Sequence, residues 1–300
     1  MTAIDLGSNT LRVTRLDCQS GKFIAWYEKI VKTADMLKST GVIHHEAVDR
    51  VICALKEAKT QIGFDTEVKA VTTEALRRAA NAQAVLERIE KETGVTFAVI
   101  DGEEEARLTL LAVKHRLAKL HFASKSFVLV DIGGGSTELI FVYPDKVISR
   151  SFPVGIVTIA QSYNDLESIH NALPEEMSDL SRFCMETYAQ NGNVDAFVAT
   201  AGTPTTVAAM KLGQTYACYN PKKINGTNLQ KNELDIYLKK LLKMPFEERE
   251  TTVGVGRSDL IAAGILIYKQ IFNCVEFESC IVIDDGLREG LALDSCALKK

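Results

Sequence analysis

The chain has 300 residues, is 46% hydrophobic and 25% charged, and carries a formal net charge of −4. That length leaves room for two domains, each with a core of its own. The mildly acidic balance excludes a broad nucleic-acid surface, so a polyanionic substrate would have to be held by a local set of donors and metal.

Strands are expected over 2–6, 11–17 and 23–31 as a meander, turning at Gly7-Ser8-Asn9 and Ser20-Gly21. Residues 46–62 set Val48, Val51, Ile52, Leu55 and Ala58 at helical spacing. A strand over 68–72, helices over 74–80 and 82–93, a strand over 97–100 and a helix from Glu103 to about residue 120 follow. This alternation indicates an α/β domain. A second series begins at Phe127, with strands over 127–131, 138–143 and 146–152 and a turn at Pro144-Asp145. Helices are expected over 156–163 and 174–190, Pro174 suiting a first helical turn. A strand over 195–200 then runs into Ala201-Gly202-Thr203 and a helix to Leu212. Helices over 231–243 and 258–272, a strand over 280–283 and a closing helix opened by Asp285-Gly286-Leu287-Arg288-Glu289-Gly290 complete the chain. No Pro/Gly/Ser-rich linker divides the halves, and the seam is placed at 121–125.

Two segments read alike: Ile4-Asp5-Leu6-Gly7-Ser8-Asn9-Thr10 and Val130-Asp131-Ile132-Gly133-Gly134-Gly135-Ser136-Thr137-Glu138. Each is an apolar run, an Asp, a Gly-containing turn with small polar side chains, and a second apolar run, about one domain length apart. A single copy reads equally well as an ordinary hairpin. Two matching copies point to a duplicated domain whose turns close backbone N–H groups around an anion. The Asp ending each strand suits a divalent cation or its bound water.

Further segments make a specific match. Ala3–Thr10 with Arg12 is joined by Thr73-Glu74-Ala75-Leu76-Arg77-Arg78-Ala79-Ala80-Asn81 and Ile100-Asp101-Gly102-Glu103-Glu104-Glu105-Ala106-Arg107. After Asp131–Leu139 come Thr200-Ala201-Gly202-Thr203, Gly256-Arg257-Ser258-Asp259 and Gly286-Leu287-Arg288-Glu289-Gly290. In this order and over essentially the whole chain, they resemble the exopolyphosphatase/guanosine pentaphosphate phosphohydrolase (Ppx/GppA) family of the actin-like ATPase/sugar-kinase superfamily. The resemblance implies an α/β fold of two actin-like (ribonuclease H-like) domains with an interdomain cleft. The domains would be 1–122 and 123–285, with a closing helix of about 286–300 packing back on the first.

The resemblance also assigns roles. Glu105 would orient and activate the attacking water, with Glu104 its nearest competitor. The bland alternative is that Glu103-Glu104-Glu105 is a solvated acidic run favoured at a helix start. Arg77 would contact phosphate, where a guanidinium offers paired donors; otherwise it is a solvent-facing helix residue like Arg78. Asp131 and Glu138 would place Mg²⁺ or another divalent cation. Asp5, Gly7, Ser8, Asn9, Thr10, Gly133, Gly134, Gly135, Ser136, Thr137, Gly202 and Thr203 would cradle phosphates. Asp259 is left outside the site, as a helix-start acid.

Absences narrow the chemistry. The sequence has no Gly-x-x-x-x-Gly-Lys-Ser/Thr, no nucleophile-elbow Ser and no supported Cys–His pairing, which favours direct water attack on a phosphoanhydride. Seven scattered cysteines without a Cys-x-x-Cys pair predict a reducing compartment, most of them serving as small core residues. No leader-like segment precedes the first strand and the apolar stretch 260–268 is too short for a bilayer, so a cytoplasmic protein with no membrane partner is expected. Longer family members carry a further helical C-terminal domain that this sequence does not include, so monomer and homodimer both stay open. The expected activity is exopolyphosphatase, removing terminal phosphate from inorganic polyphosphate. The alternatives are a guanosine pentaphosphate phosphohydrolase, an actin-like nucleotide-binding module with little turnover, and a small-molecule kinase.

Overall fold

The computed structural model describes residues 1–258 and 260–297 and divides into two compact units. One is Met1–Val113 with the chain from Asp285 onward; the other is Lys114–Asp284. The division falls inside a helix, upstream of the 121–125 seam. Asp259 lies outside the described residues, as do the last three residues of the expected closing helix.

In the first unit, β1 (Thr2–Leu6), β2 (Thr10–Asp17) and β3 (Lys22–Ile30) form an antiparallel meander. A short helical turn α1 (Leu37–Thr40) and α2 (His45–Ile62) lead to β4 (Val68–Thr72), which lies parallel to β1. Then α3 (Glu74–Arg78), α4 (Ala82–Thr93), β5 (Phe97–Val99) and α5 (Gly102–Lys119) complete the sheet order β3-β2-β1-β4-β5. Helix α2 buries Val48, Val51, Ile52, Leu55 and Ala58 on one face, the stripe that its periodicity predicts.

The second unit repeats this plan. The strands β6 (Phe127–Ile132), β7 (Thr137–Val142) and β8 (Val147–Phe152) form the meander. Helices α6 (Ile156–Ala160), α7 (Leu166–Glu176) and α8 (Ser178–Asn191) precede β9 (Phe197–Thr200), parallel to β6. After α9 (Gly202–Lys211), a single 3₁₀ turn and α10 (Pro221–Ile224) comes β10 (Thr227–Gln230). The unit closes with α11 (Lys231–Lys243), α12 (Phe246–Val253), α13 (Ile261–Val275) and β11 (Ser279–Val282). The sheet order is β10-β11-β9-β6-β7-β8. Strands β6, β7, β8, β9 and β11 repeat the pattern of β1 to β5, and β10 adds an antiparallel edge. The mixed α/β fold with a duplicated sheet is therefore the one expected. The core of this unit gathers on α13, whose Ile265, Ile267, Tyr268, Ile271 and Phe272 are fully buried.

Pro174 and Cys18 depart from expectation. Pro174 does not open a helix: Asp165 caps α7 by accepting from the Ser168 amide, and Pro174 sits near the end of that helix. Lacking an N–H, it weakens the last turn, and the chain breaks at Met177 before α8 begins. Cys18 and Cys296 form a disulfide, with Cα atoms 5.4 Å apart, so these two thiols do not fit the reduced pattern read from spacing. Cys184, Cys274 and Cys280 are buried free thiols, while Cys53 and Cys218 are exposed. The disulfide ties the β2 hairpin to α14 (Leu287–Ala297), which packs Leu287, Leu291 and Ala292 on Met1, Ala3, Leu16, Val71 and Leu108. That helix crosses α5 so closely that a Cβ on Gly290 would lie 1.9 Å from the Leu108 carbonyl oxygen. Among the described residues, no helix is long and apolar enough to cross a membrane.

Candidate active site

In the first unit the C-terminal ends of three parallel strands line up, Leu6 beside Thr72 and Thr72 beside Val99. The Thr72 hydroxyl donates to the Leu6 carbonyl (2.8 Å), and the Ile100 amide to the Thr72 carbonyl (3.0 Å). The turn at Gly7, helix α3 with Arg77 and the start of α5 with Glu105 thus leave the same edge of the sheet. In open α/β sheets that carboxyl edge is where ligands bind.

The acidic run at the start of α5 is resolved by packing. Asp101 opens the helix, its side chain accepting from the Glu104 amide at 2.8 Å. Glu103 is exposed, and Glu104 is half-buried in a two-bond pair with Arg107. Glu105 is buried, with its side chain 11% exposed, and its Oε2 accepts from Arg77 Nη1 at 3.0 Å. Arg77 Nη1 also donates to the Ile100 carbonyl (2.7 Å), while its Nε and Nη2 donate to Glu74 Oε2 (3.2 and 3.0 Å). Burial opposes the charge on Arg77, but the carboxylates of Glu105 and Glu74 outweigh it and hold the guanidinium above its usual pKa. Expected as a phosphate contact, Arg77 stands here as the partner of Glu105. Arg78 is exposed.

The two glycine turns share one construction. In the first, the Gly7 amide donates to the Thr10 carbonyl (3.0 Å); in the second, Gly133 does the same to Ser136 (2.9 Å). The segment following β3 then ties down the first turn's carbonyls: Val31 and Lys32 amides donate to Asn9, and Ala34 to Ser8. The start of α6 does this for the second, Ile156 donating to Gly133 and Val157 to Gly134. With the carbonyls engaged, the amides of Ser8, Asn9, Gly134, Gly135 and Ser136 have no acceptor among the described residues. Such unmet donors suit phosphate oxygens. The Asn9 side-chain oxygen is likewise buried without a partner.

Side chains around the turns divide by role. Ser8 and Ser136 are buried, and Thr10 is half-buried. Thr137 is fully buried and gives its hydroxyl to the Val154 carbonyl (2.6 Å), so it braces the second turn and offers no hydroxyl to a phosphate. Gly202 begins α9, and its carbonyl accepts from the hydroxyls of Thr205 and Thr206. Thr203 is 1% exposed and packs against α13, where a Cβ on Gly264 would lie 2.3 Å from its Oγ1. Its Oγ1 is buried there with no hydrogen-bond partner among the described residues.

Asp131 sits directly across the β6–β7 hairpin from Glu138, so both carboxylates share one face of the sheet. Glu138 is 1% exposed, and its Oε1 accepts from Ser136 Oγ (2.8 Å) and Ser151 Oγ (2.7 Å). Among the described residues no three Asp, Glu, His or Cys side chains gather as a complete metal cage. Mg²⁺ is commonly held by one or two protein carboxylates together with phosphates and water, so this pair is a candidate donor set. Asp5 is in register with Arg12, and Arg12 with Glu28, to which its Nε donates at 3.0 Å. Burial disfavours the Arg12 charge, but Glu28 and Asp5 overcome this and keep it ionised.

Three participants escaped the sequence reading: Glu74, Ser151 and Gly155. Glu74 lies three residues before Arg77, a helical pairing distance, and Ser151 follows from the hairpin register once β8 is aligned. At Gly155 a Cβ would come within 2.4 Å of the Gly134 carbonyl oxygen; only a glycine lets α6 meet the turn.

The sequence profile of the Ppx/GppA phosphatase family matches residues 13–299. Exopolyphosphatase 1 of Mycobacterium leprae is 28% identical, over 97% of this chain and 87% of its own. The PPX-GPPA enzyme of Aquifex aeolicus is 34% identical in sequence, with a TM-score of 0.73 over 98% of both chains. An exopolyphosphatase from Cytophaga hutchinsonii, 22% identical, shares the fold with a TM-score of 0.84 over 99% of this chain and 97% of its own.

Proposed function

Since the chain belongs to the Ppx/GppA phosphatase family and is a phosphoanhydride hydrolase, we propose that it releases terminal orthophosphate from inorganic polyphosphate by direct attack of water. The observation that carries this reading is the buried Glu105 carboxylate, held by Arg77 at the carboxyl edge of the first sheet. Glu105 takes a proton from water as its oxygen bonds to the terminal phosphorus. The bridging P–O bond breaks, and the shortened chain leaves with the electron pair. The unmet amides of Ser8 and Asn9, in the unit that carries Glu105, receive phosphate oxygens and stabilise their growing charge; in the other unit the amides of Gly134, Gly135 and Ser136 are likewise suited to phosphate oxygens. Asp131 and Glu138 would hold Mg²⁺, which supplies charge neutralisation on the phosphates.

The name of the mycobacterial relative supports polyphosphate as the substrate. Guanosine pentaphosphate ends in the same phosphoanhydride and is the necessary comparison, together with ATP. In a phosphate-release assay with all three, Glu105→Gln is expected to lower kcat on polyphosphate about 10²–10⁴-fold. Glu104→Gln, altering a solvent-side pair with Arg107, is expected to stay within a few-fold of the unaltered protein. Reversed effects of the two substitutions would refute the choice of base, and faster turnover of guanosine pentaphosphate would refute the choice of substrate.

A further inference from the structure

We propose that Glu74 is a positioning residue for this hydrolysis: it grips one edge of Arg77 so that the other edge holds Glu105 in place. The inference rests on the reading of Glu105 as the group that activates water. Glu74 is the first residue of α3, and its side chain is only 16% exposed. One of its oxygens takes both Nε and Nη2 of Arg77, at 3.2 and 3.0 Å. That leaves Nη1 directed at the Ile100 carbonyl and at Glu105. Arg77 therefore links three points of the first unit: the start of α3, the backbone that leads into α5, and the carboxylate on its first turn.

The chemistry of the guanidinium makes this consequential. A planar guanidinium fits a phosphate or carboxylate through paired donors on its Nε–Nη2 or its Nη1–Nη2 edge, and here donors of both edges are engaged by Glu74, Ile100 and Glu105. With Nε and Nη2 on Glu74 and Nη1 on Ile100 and Glu105, Arg77 serves Glu105 instead of the substrate, and a loss of Glu74 should act on turnover and not on affinity. It also removes the second anion that keeps Arg77 aligned, so the guanidinium becomes free to turn away from Glu105.

The test is a cycle of four proteins: unaltered, Glu74→Gln, Glu105→Gln and the double variant, each checked for folding by thermal melting and assayed on polyphosphate. Glu74→Gln is expected to lower kcat about ten-fold, the size of a lost charged hydrogen bond, with KM changed less than two-fold. In the Glu105→Gln background the same substitution is expected to change kcat less than two-fold, because its effect passes through Glu105. An equal fall in both backgrounds, no fall in either, or a rise in KM without a fall in kcat would each overturn the positioning role. If Glu105→Gln alone retains kcat, the reading of the base fails first, and the positioning role falls with it. Should Glu74→Gln not fold, Glu74→Asp carries the same cycle. It keeps the charge on a side chain shorter by one methylene, and an intermediate fall in kcat is expected.

Discussion

The two meanders place different charges in the same row. Across β1, β2 and β3 the row reads Asp5, Arg12, Glu28; across β6, β7 and β8 it reads Asp131, Glu138, Ser151. In the first, a half-buried base stands between two acids, and Arg288 from α14 approaches Glu28 at 3.8 Å. The first row satisfies itself. In the second, two acids face each other across the hairpin with the Ser151 hydroxyl beside them. One scaffold, copied, thus carries a base between two acids in one unit and, in the other, the pair of acids that the proposed function assigns to a cation.

The turns also differ in how tightly they are held, which gives a large expected contrast in stability. Gly155→Ala would drive a methyl into the Gly134 and Gly135 backbone, at 2.4 to 2.5 Å, where no side chain can yield. Overpacking of this kind costs about 1–3 kcal/mol, and the upper end is expected. At Gly7 a Cβ would sit 3.6 Å from the Thr10 carbonyl oxygen, ordinary contact, so Gly7→Ala should cost less than about 1 kcal/mol. Urea melts of the two variants measure the contrast; equal losses would show that both turns are braced alike.

How far the sequence carries this picture depends on the range of the interaction. The duplicated turns and the succession of strands along the chain are legible because they are local patterns, and Glu105 is singled out because a motif fixes its neighbours. The acidic run was ambiguous in the sequence, since a helix start favours any carboxylate; burial of Glu105 and the pairing of Glu104 with Arg107 separate the two. Thr137 looks like a donor beside a glycine turn, yet its hydroxyl is used by Val154, a partner 17 residues away. The Cys18–Cys296 bond spans a separation of 278 residues, and no spacing rule reaches that far. β10 was missed because its four residues are stabilised by pairing with β11, which follows them only after two intervening helices and α13.

The next contrast concerns the cation. If the acidic row holds it, Asp131→Asn should raise the Mg²⁺ concentration for half-maximal activity about ten-fold, roughly the loss of one charged ligand contact. Arg12→Gln in the matching row should leave that midpoint within about two-fold, whatever it does to the rate, since Arg12 repels a cation and pairs with Glu28. A Mg²⁺ titration of phosphate release reads both. Activity that persists unchanged in excess chelator would remove the cation from the second row altogether.

The Glu138 substitution has the smallest expected effect and gives the most direct test of the row comparison, because the sign differs from that at Arg12. With divalent cations removed, Glu138→Gln relieves the repulsion from Asp131 while its amide oxygen can still accept from Ser136 and Ser151. Stability should then stay level or rise by a few tenths of a kcal/mol, on the order of a cross-strand pair. Arg12→Gln takes the base from between two acids and should lower stability by about 1.5–3 kcal/mol, the range for hydrogen bonds to charged groups. Adding Mg²⁺ should stabilise the unaltered protein, by about 1.4 kcal/mol at ten times its Kd, and stabilise Glu138→Gln less. Thermal melts with chelator and with Mg²⁺ supply all of these values. If Glu138→Gln loses more than about 1 kcal/mol in chelator, the second row is already neutralised by the protein itself, and the contrast between the two rows is lost.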